Sequence, residues 1–190
     1  FTNTTGAQLA AFGHTALYST TTATATTGLG HQAGYSNTTG SSNTFVGDSA
    51  AYSNTTGVNN TAFGYFALQS NPTASNNTAV GYQAGLTNTT GTIDAFGYQA
   101  LYSNTTGIYN SAFGNSALIN NTTGSDNIAV GNASLLGNTT GNYNTASGVS
   151  ALYSNTTAAN NTAHGYYAGD HPSTANRRSV TDHECTFIGN

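Results

Sequence analysis

A glycine returns every 17 residues along this chain, with one interval of 16. Gly13, Gly30, Gly47, Gly64, Gly81, Gly97, Gly114, Gly131, Gly148 and Gly165 hold one slot of a repeat whose idealised unit is S-N-T-T-G-x-x-N-T-A-F-G-Y-x-A-L-Y. Numbering its slots from one to seventeen puts this glycine at twelve. The copies run 2–18, 19–35, 36–52, 53–69, 70–86, 87–102 (one residue short), 103–119, 120–136, 137–153 and 154–170. A position that never departs from Gly points to positive φ, or to a backbone approach that excludes Cβ.

The period excludes most repeat folds. Helical repeats need about 33 residues or more, and Gly, Asn and Thr at this density oppose helix formation. Seventeen residues suit one coil of a parallel β-solenoid, with short strands joined by turns. The stretch N-T-A-F-G alternates its side chains across a strand. On size, the large apolar residue of slot eleven is expected inside the coil. The small Ala of slot ten is then expected outside, facing a close neighbour. The run T-T-G-x-x-N carries residues that tolerate tight turns. Ten coils advancing by the strand spacing make a rod of about 48 Å, with like residues stacked in ladders.

Composition limits the partners. The only cations in the 190 residues are Arg177 and Arg178, and the net charge is −4, which argues against neutralising nucleic-acid phosphates and gives anionic lipid nothing to attract. No run reaches the ~20 apolar residues of a membrane span. Leu, Ile, Val and Phe together number 29, a thin core for one chain alone, which points to self-association. Cys185 is the single cysteine, so there is no intrachain disulfide framework. The absence of Lys, with a surface rich in Asn and Thr, suits an extracellular setting. The chain begins at Phe1 with no recognisable signal peptide. Cys185 to Asn190 match slots eight to thirteen of a further copy, so the chain is expected to be a fragment of a longer protein. The resulting division is 1–170 as the solenoid, 171–184 as an inserted loop, and 185–190 as the start of the next repeat.

The pattern of Thr61-Ala62-Phe63-Gly64 and Thr78-Ala79-Val80-Gly81 resembles the head and shaft repeats of trimeric autotransporter adhesins and related bacterial or phage tail-fibre-like proteins. The resemblance covers 2–170 and, weakly, 185–190. It implies a left-handed β-roll in a homotrimer, with three rolls meeting through their Ala faces. The adhesin-head period is usually nearer fourteen, and the family's stalk and anchor are absent from this sequence.

Asn-Thr-Thr recurs at slots two to four. Asn3, Asn37, Asn54, Asn88, Asn104, Asn121, Asn138 and Asn155 each satisfy the N-glycosylation acceptor rule, and read as outward-facing they form a candidate glycan ladder. The competing reading is a turn whose side chains bond to nearby backbone. His14 and His31 share slot thirteen of adjacent copies and are expected to stack, a surface feature rather than a metal site. His164 replaces what is expected to be a core Phe or Val. His183-Glu184-Cys185 offers ligand types, but three successive residues of an extended chain alternate sides. No G-x-S-x-G, P-loop or paired-carboxylate arrangement appears, so no catalytic, cofactor or metal residue is assigned. The expected function is a non-enzymatic structural rod of an extracellular fibre or adhesin on a cell or virion surface. It would give reach, stiffness and multivalent contacts, with surface glycans as a partner through aromatic ladders. The alternative is an ice-binding solenoid using Thr ladders.

Overall fold

The computed structural model describes residues 3–170 and 186–188. Each copy contributes one short strand through slots nine to eleven. The strands are β1 Ala10–Phe12, β2 Thr27–Leu29, β3 Thr44–Val46, β4 Thr61–Phe63, β5 Thr78–Val80, β6 Ile93–Phe96, β7 Asn110–Phe113, β8 Ile128–Val130, β9 Thr145–Ser147, β10 Thr162–His164 and β11 Thr186–Ile188. They form one parallel sheet in sequence order. The register pairs like slots: Thr61 with Thr78, Ala62 with Ala79, Phe63 with Val80. Thr186 pairs with Thr162, so residues 186–188 rejoin the sheet in phase. The loop 171–184 and the His183-Glu184-Cys185 run lie outside the described residues.

The fold is an all-β parallel solenoid, and the corners explain why its period is nearly constant. Slots seven, fourteen and sixteen adopt left-handed backbone even without glycine. In the fourth coil these are Asn59, Phe66 and Leu68, at φ 57°, 58° and 49°. Such a conformation costs a non-glycine residue about 1–3 kcal/mol and persists only where its surroundings enforce it. Here the enforcement is the hydrogen-bond ladder between coils: the Asn59 N–H donates to Ser41 O at 3.2 Å, that of Phe66 to Asp48 O at 3.1 Å and that of Leu68 to Ala84 O at 3.0 Å. In the slot-three turn the N–H groups of Thr38, Thr39 and Gly40 all donate to the Thr55 carbonyl, at 2.9, 3.1 and 3.3 Å. The Thr38 hydroxyl donates to the same oxygen at 3.0 Å.

The strands face opposite to the size-based expectation. Slot ten points inward: Ala62, Ala79, Ala95, Ala112, Ala129 and Ala146 are fully buried. Slot eleven points outward, with Phe12 77% and Phe63 55% exposed. The interior is too narrow for a row of rings. It is filled by the two Ala rows of slots ten and fifteen and the Leu row of slot sixteen, which includes Leu17, Leu68, Leu101, Leu118 and Leu152. The Ala faces are thus spent inside each coil and are not available to meet another chain. His164, in slot eleven, is exposed and replaces no core residue.

Departures from the consensus compensate one another across coils. Among the ten full copies Phe45 is the one aromatic in slot ten, and it is fully buried. It fits because the coil before it has Gly34 where most copies have Leu; a Cβ on Gly34 would sit 2.5 Å from the Phe45 ring. Gly85 holds the same slot in the fifth coil, and the space is taken by Ile93, whose Cδ1 would lie 2.7 Å from a Cβ there. Interior volume is conserved by exchange between neighbours, as close packing requires.

Candidate functional site

The Asn residues read as glycan acceptors are interior residues. Asn37, Asn54, Asn88, Asn104, Asn121, Asn138 and Asn155 have no exposed surface. Asn54 Nδ2 donates to Asn37 Oδ1 at 2.7 Å and to the Gly57 carbonyl at 3.2 Å. Asn121 Nδ2 repeats this against Asn104 Oδ1 and Gly124 O, at 2.8 and 2.9 Å. Only Asn3, in the first coil, is exposed, and its Nδ2 donates to Gly6 O at 2.9 Å. A sugar on any of the seven buried amides would have to displace its hydrogen bonds, two in every case but Asn37, and enter the packed interior. The outward assignment is therefore corrected: these side chains close the turn and tie one coil to the next. Turn side-chain bonding, the competing reading, is what the structure contains.

A second Asn ladder, at the end of the T-T-G-x-x-N run, is also interior. Asn43, Asn60, Asn77, Asn110, Asn127, Asn144 and Asn161 fill slot eight and are all buried. Asn60 Oδ1 accepts the Asn77 backbone N–H at 3.0 Å, and Asn60 Nδ2 donates to Ala74 O at 2.9 Å. The signal was its recurrence in a turn where neighbouring slots six and seven vary freely.

The outward faces carry several ladders. In slot four every copy has an exposed Thr, from Thr5 to Thr157. Slot three is half-buried in most copies, because its hydroxyl is tied to the next coil, as in Thr105 to Thr122 O at 2.9 Å. The sheet face presents slot nine, usually Thr, beside the apolar row of slot eleven. Slot thirteen holds stacked rings: Tyr65, Tyr82 and Tyr98 at centroid distances of 5.5 and 5.1 Å. Tyr18, Tyr35 and Tyr52 in slot seventeen stack in the same way, at 5.3 and 5.1 Å. Because these planes lie within 11° of parallel, their faces cover one another. Each ladder presents ring edges and hydroxyls to solvent, which changes how a sugar would meet it.

His14 and His31 stack at 5.5 Å as their spacing suggested. His31 Nδ1 lies 3.4 Å from Asp48. The Ser49 hydroxyl, donating to Asp48 at 2.7 Å, is the main reason its carboxyl sits below the usual range, with His31 secondary. A depressed carboxyl stabilises the fold above its unfolded pKa, and that small contribution is lost as pH falls through the folded value. Among the described residues, no three His, Cys, Asp or Glu side chains gather in a way that would hold a metal ion. Asp48, Asp94 and Asp126 occupy slots thirteen, nine and seven of separate coils. No helix of the described residues is long and apolar enough to cross a membrane.

The chain is thus a repeat protein of the single-sheet parallel β-solenoid class. It matches no protein-family model, no curated protein and no solved structure.

Proposed function

We propose that this chain is a non-enzymatic structural rod, a segment of an extracellular fibre or surface adhesin of the kind its repeats resemble. The observation that supports this most is the common register of ten coils, joined by backbone hydrogen bonds throughout and by Thr and buried Asn ladders in most copies. Repetition of this sort makes length and stiffness, and it multiplies weak outward contacts into avidity. With the Ala rows spent inside, self-association as a homotrimer or filament would use the outward apolar row of slot eleven. Such an exposed row on a protein surface marks an interaction face. Immunogold electron microscopy of intact source cells or particles, with an antibody against the repeat, tests the reading. Gold is expected on projecting surface filaments; label confined to the interior would sink it.

One feature favours ice binding as a second reading. The slot-four Thr residues stand exposed in all ten coils, in a single file at about the strand spacing of 4.8 Å. Slot nine offers a further row of Thr, though mixed with Ala10, Asp94, Ser111 and Ile128 and bordered by bulky rings. A nanolitre osmometer decides this: the rod reading expects no gap between melting and freezing points, and a measurable gap would promote ice binding over it.

A further inference from the structure

The repeat is short by one residue at the corner before β6, and the surface is indented there. In the coils on either side, slot seven is a left-handed, exposed residue: Asn76 at φ 61° and Tyr109 at φ 57°. The sixth coil has none, and Thr92 leads straight to Ile93. β6 and β7 pair one residue further than the strands around them, Ile93 opposite Asn110. A depression of about 190 Å³ results, lined by Thr92, Ile93, Asp94, Tyr109, Asn110 and Ser111.

The interruption carries a structural penalty. Asn88 Nδ2 turns to Asn77 Oδ1 at 3.4 Å, and the buried Asn71 Oδ1 is left without a hydrogen-bond partner. An orphaned buried acceptor of this kind is destabilising.

The floor of the depression is committed. Ile93 fills the space beside Gly85, and Asn110 donates to Gly124 O at 2.7 Å while accepting from Asn127. The rim is not. Among the described residues, the Asp94 carboxylate and the hydroxyls of Thr92, Tyr109 and Ser111 make no hydrogen bond to protein. Tyr109 is 64% exposed and, unlike Tyr65, Tyr82 and Tyr98, stacks on no other ring, so its face is open.

We infer that this depression binds one neutral pyranose ring of a carbohydrate. The Asp94 carboxylate accepts hydrogen bonds from two adjacent sugar hydroxyls. Ser111 and Thr92 exchange hydrogen bonds with a third, and the Tyr109 ring covers the sugar's C–H face. The volume lies below the ~300–1,000 Å³ of drug-sized sites, which suits a single ring. One carboxylate with three neutral hydroxyls falls short of the six to eight oxygens of a calcium site. The negative charge excludes acidic sugars. The rod reading does not depend on this site, and either can fail alone.

The full chain, ¹⁵N-labelled, is titrated with the methyl glycosides of glucose, galactose and mannose up to ~100 mM, a range that captures millimolar affinities. At least one should give saturable amide shifts confined to Thr92–Asp94 and Tyr109–Ser111. Asp94→Asn should weaken that binding about tenfold, because it removes the charged acceptor. Inserting an Asn between Thr92 and Ile93 restores the full repeat; it should abolish the shifts and leave distant coils unchanged. A linear trisaccharide of the responding sugar separates the two sources. Equal affinity assigns a terminal residue, whereas tighter binding with shifts spreading to adjoining coils assigns an internal stretch of polysaccharide. The site is overturned by no saturable shift from any of the three glycosides, by equal shifts in every coil, or by undiminished binding in the insertion variant.

Discussion

Gly64→Ala is expected to split the stack between its fourth and fifth coils. Gly64 has φ +139°, and a Cβ there would collide with the Gly81 carbonyl, its carbon at 2.7 Å and its oxygen closer still. Both obstacles are backbone, so no rotamer change relieves them. Strain at the disallowed φ and the overpacking each contribute about 1–3 kcal/mol, for a total near 4 kcal/mol. In a linear array each coil is held by its neighbours, so the damage falls on one interface. Chemical denaturation should show a lower midpoint. Hydrogen exchange should rise first in the amides around Gly64 and Gly81, leaving the coils near Gly148 protected. A companion Thr61→Ala on the outward face should stay within about 0.5 kcal/mol of the parent. A Gly64→Ala chain as stable as the parent would mean that the coils do not approach as described.

Asn104→Asp should be comparably damaging at neutral pH and nearly harmless in acid. Asn104 Nδ2 donates to Asn88 Oδ1 at 2.9 Å and to Gly107 O at 3.0 Å. A carboxylate turns both contacts into oxygen facing oxygen and buries an unpaired charge, at about 3–5 kcal/mol. Burial raises the carboxyl's folded pKa above its unfolded value near 3.9. The charge penalty is therefore absent below that value and grows as pH rises through it. The protonated acid also regains one donor. Denaturation midpoints at pH 3 and pH 7 should diverge for Asn104→Asp and coincide, relative to parent, for Asn115→Asp on the outward slot thirteen. A pH-independent effect at Asn104 would contradict the buried ladder.

These two substitutions mark what repetition could and could not reveal. Slot twelve was legible because one residue type alone satisfies a positive φ against a neighbouring carbonyl, and nothing else is tolerated there. The strand at slots nine to eleven was legible from its alternation, and even Thr186 fell into phase with Thr162. The facing was not. Alternation allows either side to be the interior, and size favoured putting Phe63 inside. The better signal was variability: slot ten stays small in nearly every copy, while slot eleven ranges over Phe, Leu, Val, Ser and His. Asn54 misled for a related reason. An acceptor motif reads as surface until the turn around it is known, and its strict recurrence was the mark of a buried bond. The shortened sixth copy was visible in the sequence, but the open rim of Asp94, Tyr109 and Ser111 emerges only when coils are stacked.

By itself the sequence determined the period, the parallel stacking, the register and the invariant glycine, because each follows from local chemistry repeated in phase. The tertiary structure alone decided which face is inside. The interior's width is set by left-handed corners at slots seven, fourteen and sixteen, and those corners are held by bonds from the adjoining coils. A coil that narrow admits Ala, Leu and hydrogen-bonded Asn, and it leaves most of the large rings of Phe and Tyr on the outer faces.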